Sequence, residues 1–94
     1  MNNKMSEGDA IGVIRRNSSC IRHNDTHDVY VVDTTKATGE EARFGLIMRA
    51  FDALGSGVIE SHGNTAVLDA GCNKAFEKAR IDPSIFDKQV AHNC

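Results

Sequence analysis

The chain has no tryptophan, one tyrosine and one proline, and aromatic residues make up only 5% of it. A stacking platform for single-stranded nucleic acid uses several exposed rings, and too few are present to build one. Positive charge is also short, because 11 Lys and Arg face 13 Asp and Glu and leave a net charge of −2. The clustered basic footprint of a DNA binder is missing, so nucleic acid is not expected as a partner. Long apolar runs are absent as well. The longest is four residues, Val29 to Val32, far short of the roughly 20 that span a bilayer. The opening Met1 to Gly8 lacks the apolar region of a secretory signal. The three cysteines, Cys20, Cys72 and Cys94, are odd in number and widely spaced. Together these features predict reduced thiols in a cytoplasm and no disulfide framework.

At 94 residues the chain has room for one core. Residues 1–8 are polar and read as a disordered tail, leaving a single domain over 9–94. A domain of this size buries only about 60–65% of the surface its unfolded chain exposes, so association with a second copy would add burial.

The clearest element lies at residues 38–54. Phe44, Ile47, Met48, Phe51 and Leu54 recur at helical spacing, which predicts an amphipathic helix. Thr38 and Glu41 fit a capping box, and Gly55 stands where a left-handed residue ends a helix. Gly45 interrupts the bulky stripe at a cost of about 1 kcal/mol relative to alanine, which predicts a close approach of backbone there.

Before that helix, Ala10 to Arg16 reads as a strand, with Ile11 and Val13 on one face and Ile14 on the other. Cys20-Ile21-Arg22 either continues it or begins a second. His23 to Thr26 is turn chemistry, and His27 to Thr34 is the strongest strand, β-branched and aromatic. Val29 and Val31 point to one face, Tyr30 and Val32 to the other. With both faces apolar, the helix covers one, and the C-terminal helices or a second subunit must cover the other. After the helix, residues 58–61 and 65–69 read as a hairpin around His62-Gly63-Asn64. Cys72 to Arg80 reads as a helix with Asp69 as N-cap and Cys72, Ala75, Phe76 and Ala79 inward. Asp82-Pro83 starts a last short helix, stapled by Ile81 and Phe86, with Ile85, Phe86 and Val90 inward. The resulting expectation is an α+β fold of order β-β-α-β-β-α-α: a mainly antiparallel sheet of four to five strands on one long helix.

Three constellations carry candidate chemistry. His23, Asp25 and His27 supply nitrogen and oxygen donors of the kind zinc takes, but turn composition separates the histidines, and neither H-E-x-x-H nor paired C-x-x-C accompanies them. A Cys/His zinc site from Cys20, His23, His92 and Cys94 lacks the tight knuckles of structural sites. Cys72, near a helix start, is a candidate nucleophile with His62 as base and Asp69 as orienting group. Against it, a free cysteine is more often a small buried apolar residue. Gly55-Ser56-Gly57 follows a helix C-terminus, whereas phosphate cradles precede an N-terminus. Lys74, Lys78 and Arg80 allow a helix–turn–helix reading of 72–93, yet its second helix would carry only Lys88.

No metal or cofactor is expected. The function these residues predict is a small cytoplasmic, non-enzymatic binding domain acting as a homodimer, with a small-molecule ligand as one version. The alternatives are a small enzyme using Cys72, His62 and Asp69, and a nucleic-acid-binding accessory protein.

Overall fold

The computed structural model describes residues 5–35 and 40–88. Their order is α1 (Glu7–Arg16), β1 (Ile21–Asn24), β2 (Val29–Asp33), α2 (Glu40–Ala53), β3 (Val58–His62), β4 (Thr65–Leu68) and α3 (Cys72–Ala79). Short 3-10 turns at Ser18–Cys20 and Pro83–Lys88 join or follow these elements. The expected capping box at Thr38, the inward Val90 and the His92/Cys94 pair fall outside the described residues.

The α+β class and the antiparallel sheet stand, with four strands in the order β1-β2-β4-β3 and every neighbouring pair antiparallel. The single long helix does not. Helices of 10, 14 and 8 residues share the layer.

The largest correction is at residues 10–16, which form a helix and not a strand. Ser6 accepts the Asp9 N–H at 3.2 Å and caps it, which draws Glu7 and Gly8 into α1 and out of the expected tail. Acidic Glu7 and Asp9 open this helix and basic Arg15 and Arg16 close it, the polarity its dipole favours. Ala10, Val13, Ile14 and Asn17 are all buried, the i, i+3, i+4, i+7 pattern of one helical face. Asn17 uses its amide to close the last turn, donating to the Val13 carbonyl at 2.8 Å.

α2 ends as its sequence predicts. Gly55 takes a φ of +92°, Gly55 N–H reaches the Asp52 carbonyl at 3.1 Å, and Ser56 N–H reaches that of Phe51 at 2.9 Å. That is the complete Schellman pattern. Gly45 shows no close backbone approach, because a Cβ there would meet only the Arg49 guanidinium at 3.8 Å. Nothing in the structure explains glycine at that position.

The core gathers Ile21, Val32 and Leu68 from one sheet face with Ile14, Ile47, Phe51, Leu54, Phe76 and Phe86. Phe76 lies at its centre, with ring centroids 5.0 Å from Tyr30, 5.0 Å from Phe86 and 5.8 Å from Phe51. The C-terminal elements therefore pack on the Tyr30/Val32 face, the same side as α1 and α2, and do not supply the cover expected over Val29 and Val31. That second face carries Val29, Val31 and Val67 beside an Arg22–Asp33 ion pair at 3.3 Å. Phe86 is buried as expected, whereas Ile85, also expected inward, is 42% exposed, because Pro83–Lys88 winds as a 3-10 turn.

Candidate functional site

β2 begins, β3 begins, β4 ends and α3 begins at one end of the sheet. A concavity of about 380 Å³ opens there, lined by Asp28, Tyr30, Ile59, Asp69, Cys72 and Asn73 among others.

Asp69 organises this end. It is not the N-cap of α3; Gly71 holds that position without a side-chain bond. The Asp69 carboxylate instead accepts two backbone N–H groups at one oxygen, from Gly57 at 3.1 Å and Gly71 at 2.8 Å. Its own N–H donates to the Gly57 carbonyl at 3.0 Å. One side chain thus ties the start of β3 to the start of α3. Gly71 is needed for this closeness, since a Cβ there would stand 2.6 Å from the Gly55 carbonyl oxygen.

Cys72 follows in the first turn of α3 and is 2% exposed. Burial first, and then the neighbouring Asp69 charge, push its thiol up to about 11. A catalytic thiolate needs the opposite environment. His62 is not near it. In the hairpin register Val58 pairs with Leu68 and His62 with Thr65, so the histidine occupies the turn end, about 13 Å along the strand from Val58. There it is exposed, and among the described residues its Nε2 meets Glu60 Oε2 at 3.2 Å. The structure joins Asp69 and Cys72 and leaves the proposed base outside.

The histidine–aspartate turn is built differently from its metal reading. His23 lies on β1 across from Tyr30, with ring centroids 4.8 Å apart. Its Nδ1 is 2.7 Å from Asp25 and its Nε2 2.9 Å from Asp28. A neutral imidazole has only one N–H, so only the imidazolium donates to both carboxylates. Asp28 reaches this position with a left-handed φ of 52°, which sequence spacing does not reveal. His27 is exposed, and its backbone N–H caps the turn through Asn24 Oδ1 at 3.3 Å. Among the described residues no group of three or more His, Cys, Asp or Glu is arranged to hold a metal ion.

The cysteines correct a further expectation. Cys20 is disulfide-bonded and Cys72 is free. The chain unfolded without reductant should therefore titrate fewer thiols than the three it shows after reduction. Three thiols in the unreduced sample would remove the disulfide.

Three of the basic residues are held by partners within the fold. Arg15 donates to the Ala79 carbonyl at 3.0 Å, closing the end of α3, Arg22 pairs with Asp33, and Lys78 lies 3.6 Å from Glu7. Where a helix–turn–helix needs its recognition helix, the described residues hold only the 3-10 turn at Pro83–Lys88. Among the described residues, no helix is long and apolar enough to cross a membrane. The chain matches no protein-family model, no curated protein and no solved structure.

Proposed function

We propose that this chain is a non-enzymatic protein-interaction domain that works as a homodimer through the free edge of its sheet. One observation carries the reading: all five residues of β3 are exposed, including Val58 at 44% and Ile59 at 62%. The opposite edge is different, because Ile21 of β1 is fully buried and its other residues are half-buried. An edge that combines unpaired backbone groups with large apolar side chains is a template for another strand. The thin core of a chain this short adds a reason for association.

Ile59→Glu should raise the dimer dissociation constant about tenfold or more, the equivalent of some 1.4 kcal/mol, with the fold retained by circular dichroism. Light scattering across a micromolar dilution series reads this directly. A wild-type chain that stays monomeric throughout would end the proposal.

The enzyme alternative draws no support from a high-pKa thiol and a distant His62. The nucleic-acid alternative draws none from a net charge of −2, with Arg15 and Arg22 engaged within the fold. A small ligand in the concavity beside Tyr30 and Cys72 remains a version of the binding role, since about 300–1,000 Å³ is usual for such sites. A cytoplasmic location keeps the free Cys72 in its favour, whereas the disulfide at Cys20 fits an oxidising compartment better.

A further inference from the structure

We infer that the dimer forms by antiparallel pairing of β3 with β3 of a second copy about a two-fold axis at Ser61, each Glu60 facing His62 of the other copy. This deepens the self-association proposed above and rests on it.

Backbone direction singles out Ser61. The Thr34 N–H donates to the Asn64 carbonyl at 3.0 Å, and Val32 pairs with Ala66 in the same register. Residues 64 and 66 therefore turn their backbone groups toward β2. Asp69, which donates to Gly57, turns toward the β3 side. Hydrogen-bonding direction alternates along an antiparallel strand, so residues 65 and 67 bond β3. Ser61, opposite Ala66, has no bond to β4 to make, and its N–H and C=O face outward.

The register has one good solution. The irregularity between Val58 and Glu60 inserts Ile59 as an extra residue, leaving Glu60-Ser61-His62 as the regular edge. A two-fold at Ser61 pairs that whole segment, and Ser61 exchanges both of its backbone bonds with its mate. It also sets Glu60 against His62 twice, an opposite-charge arrangement whenever the imidazole is protonated. Centring on Glu60 would oppose two carboxylates and use backbone groups that point inward. At Ser61, Ile59 lies across from Gly63, where the missing side chain leaves open space. Because each copy's β3 edge is occupied by its mate, this isologous contact closes at two copies.

Cysteine crosslinking tests the axis. Ser61→Cys should join two chains rapidly with a short bis-maleimide, since mates at the axis lie about 5.5 Å apart between Cα atoms. Val58→Cys should not, because six residues of offset separate its mates by about 20 Å. A dimer in light scattering that crosslinks through Val58→Cys, or not through Ser61→Cys, overturns the pairing and leaves self-association intact. A chain that stays monomeric overturns both and leaves the edge for a strand of a different protein.

Discussion

Phe76→Ala should lower the melting temperature by about 15–30 °C, the largest loss expected from any single truncation in this chain. Phe76 is completely buried and is shared by three elements: it meets Phe51 of α2, Tyr30 of β2 and Phe86 of the last turn, all within 5.8 Å between centroids. Removing a buried phenylalanine costs about 3–5 kcal/mol, part of it lost transfer free energy and part the cavity left behind. A chain of this length has about 5–10 kcal/mol to lose, and each kcal/mol moves the midpoint of a small domain by about 4–8 °C. The edge-to-face contacts with Tyr30 and Phe51 add to the loss, since such pairs contribute beyond their buried area. Ile85→Ala, at a position 42% exposed, should stay within about 0.5 kcal/mol of wild type. Thermal melts followed by circular dichroism compare the two. A Phe76→Ala variant melting within a few degrees of wild type would mean that α3 does not share the core.

The elements that could be read from the residues are those whose local signals agree. In α2 the stripe Phe44, Ile47, Phe51 and Leu54 has one period, and Gly55 supplies the stop. The hairpin of β3 and β4 was legible because two β-rich runs flank a glycine. Its turn is tighter than expected, two residues with positive φ at Gly63 alone, the signature of a type II′ connection. α1 failed for a physical reason. Ala10, Ile11, Val13 and Ile14 satisfy alternation and helical spacing alike, and the deciding signals, Ser6 and the acidic first turn, lie upstream in a stretch that looks like a tail. Burial of Ala10 and Ile14 against the rest of the core settles the matter, and that is a tertiary effect. At the site, three residues of spacing kept Asp69 and Cys72 together. Neither the length of β3, which carries His62 away, nor the extra residue at Ile59 leaves a mark in composition. The carboxylate bonds to two backbone amides were hidden because glycines 57 and 71 advertise no partner.

Asp69→Asn should destabilise the chain by about 1–2 kcal/mol and shift the titration of Cys72 downward. The side-chain carbonyl of asparagine can still accept from Gly57 and Gly71, yet bonds to a charged acceptor are roughly twice as strong as neutral ones. Asp69→Ala removes the acceptor altogether and should cost more, about 2–4 kcal/mol, because two N–H groups in a part-buried site lose their partner. The thiol provides an independent readout. Its pKa of about 11 stands above the ordinary 9.0 through burial first and the Asp69 charge second. Without that charge it should fall but remain above 9.0, since burial persists. The sign for stability follows. A folded-state value raised above the unfolded one contributes fully below pH 9.0 and is lost as pH rises toward about 11. Wild type should therefore lose stability across that interval, and Asp69→Asn should lose less, because its interval is narrower at the upper end. The NMR shift of the Cys72 Cβ carbon against pH reports the ionisation, and denaturant midpoints at the same pH values report the stability. A Cys72 titration identical in both proteins would mean that Asp69 exerts no field on the thiol.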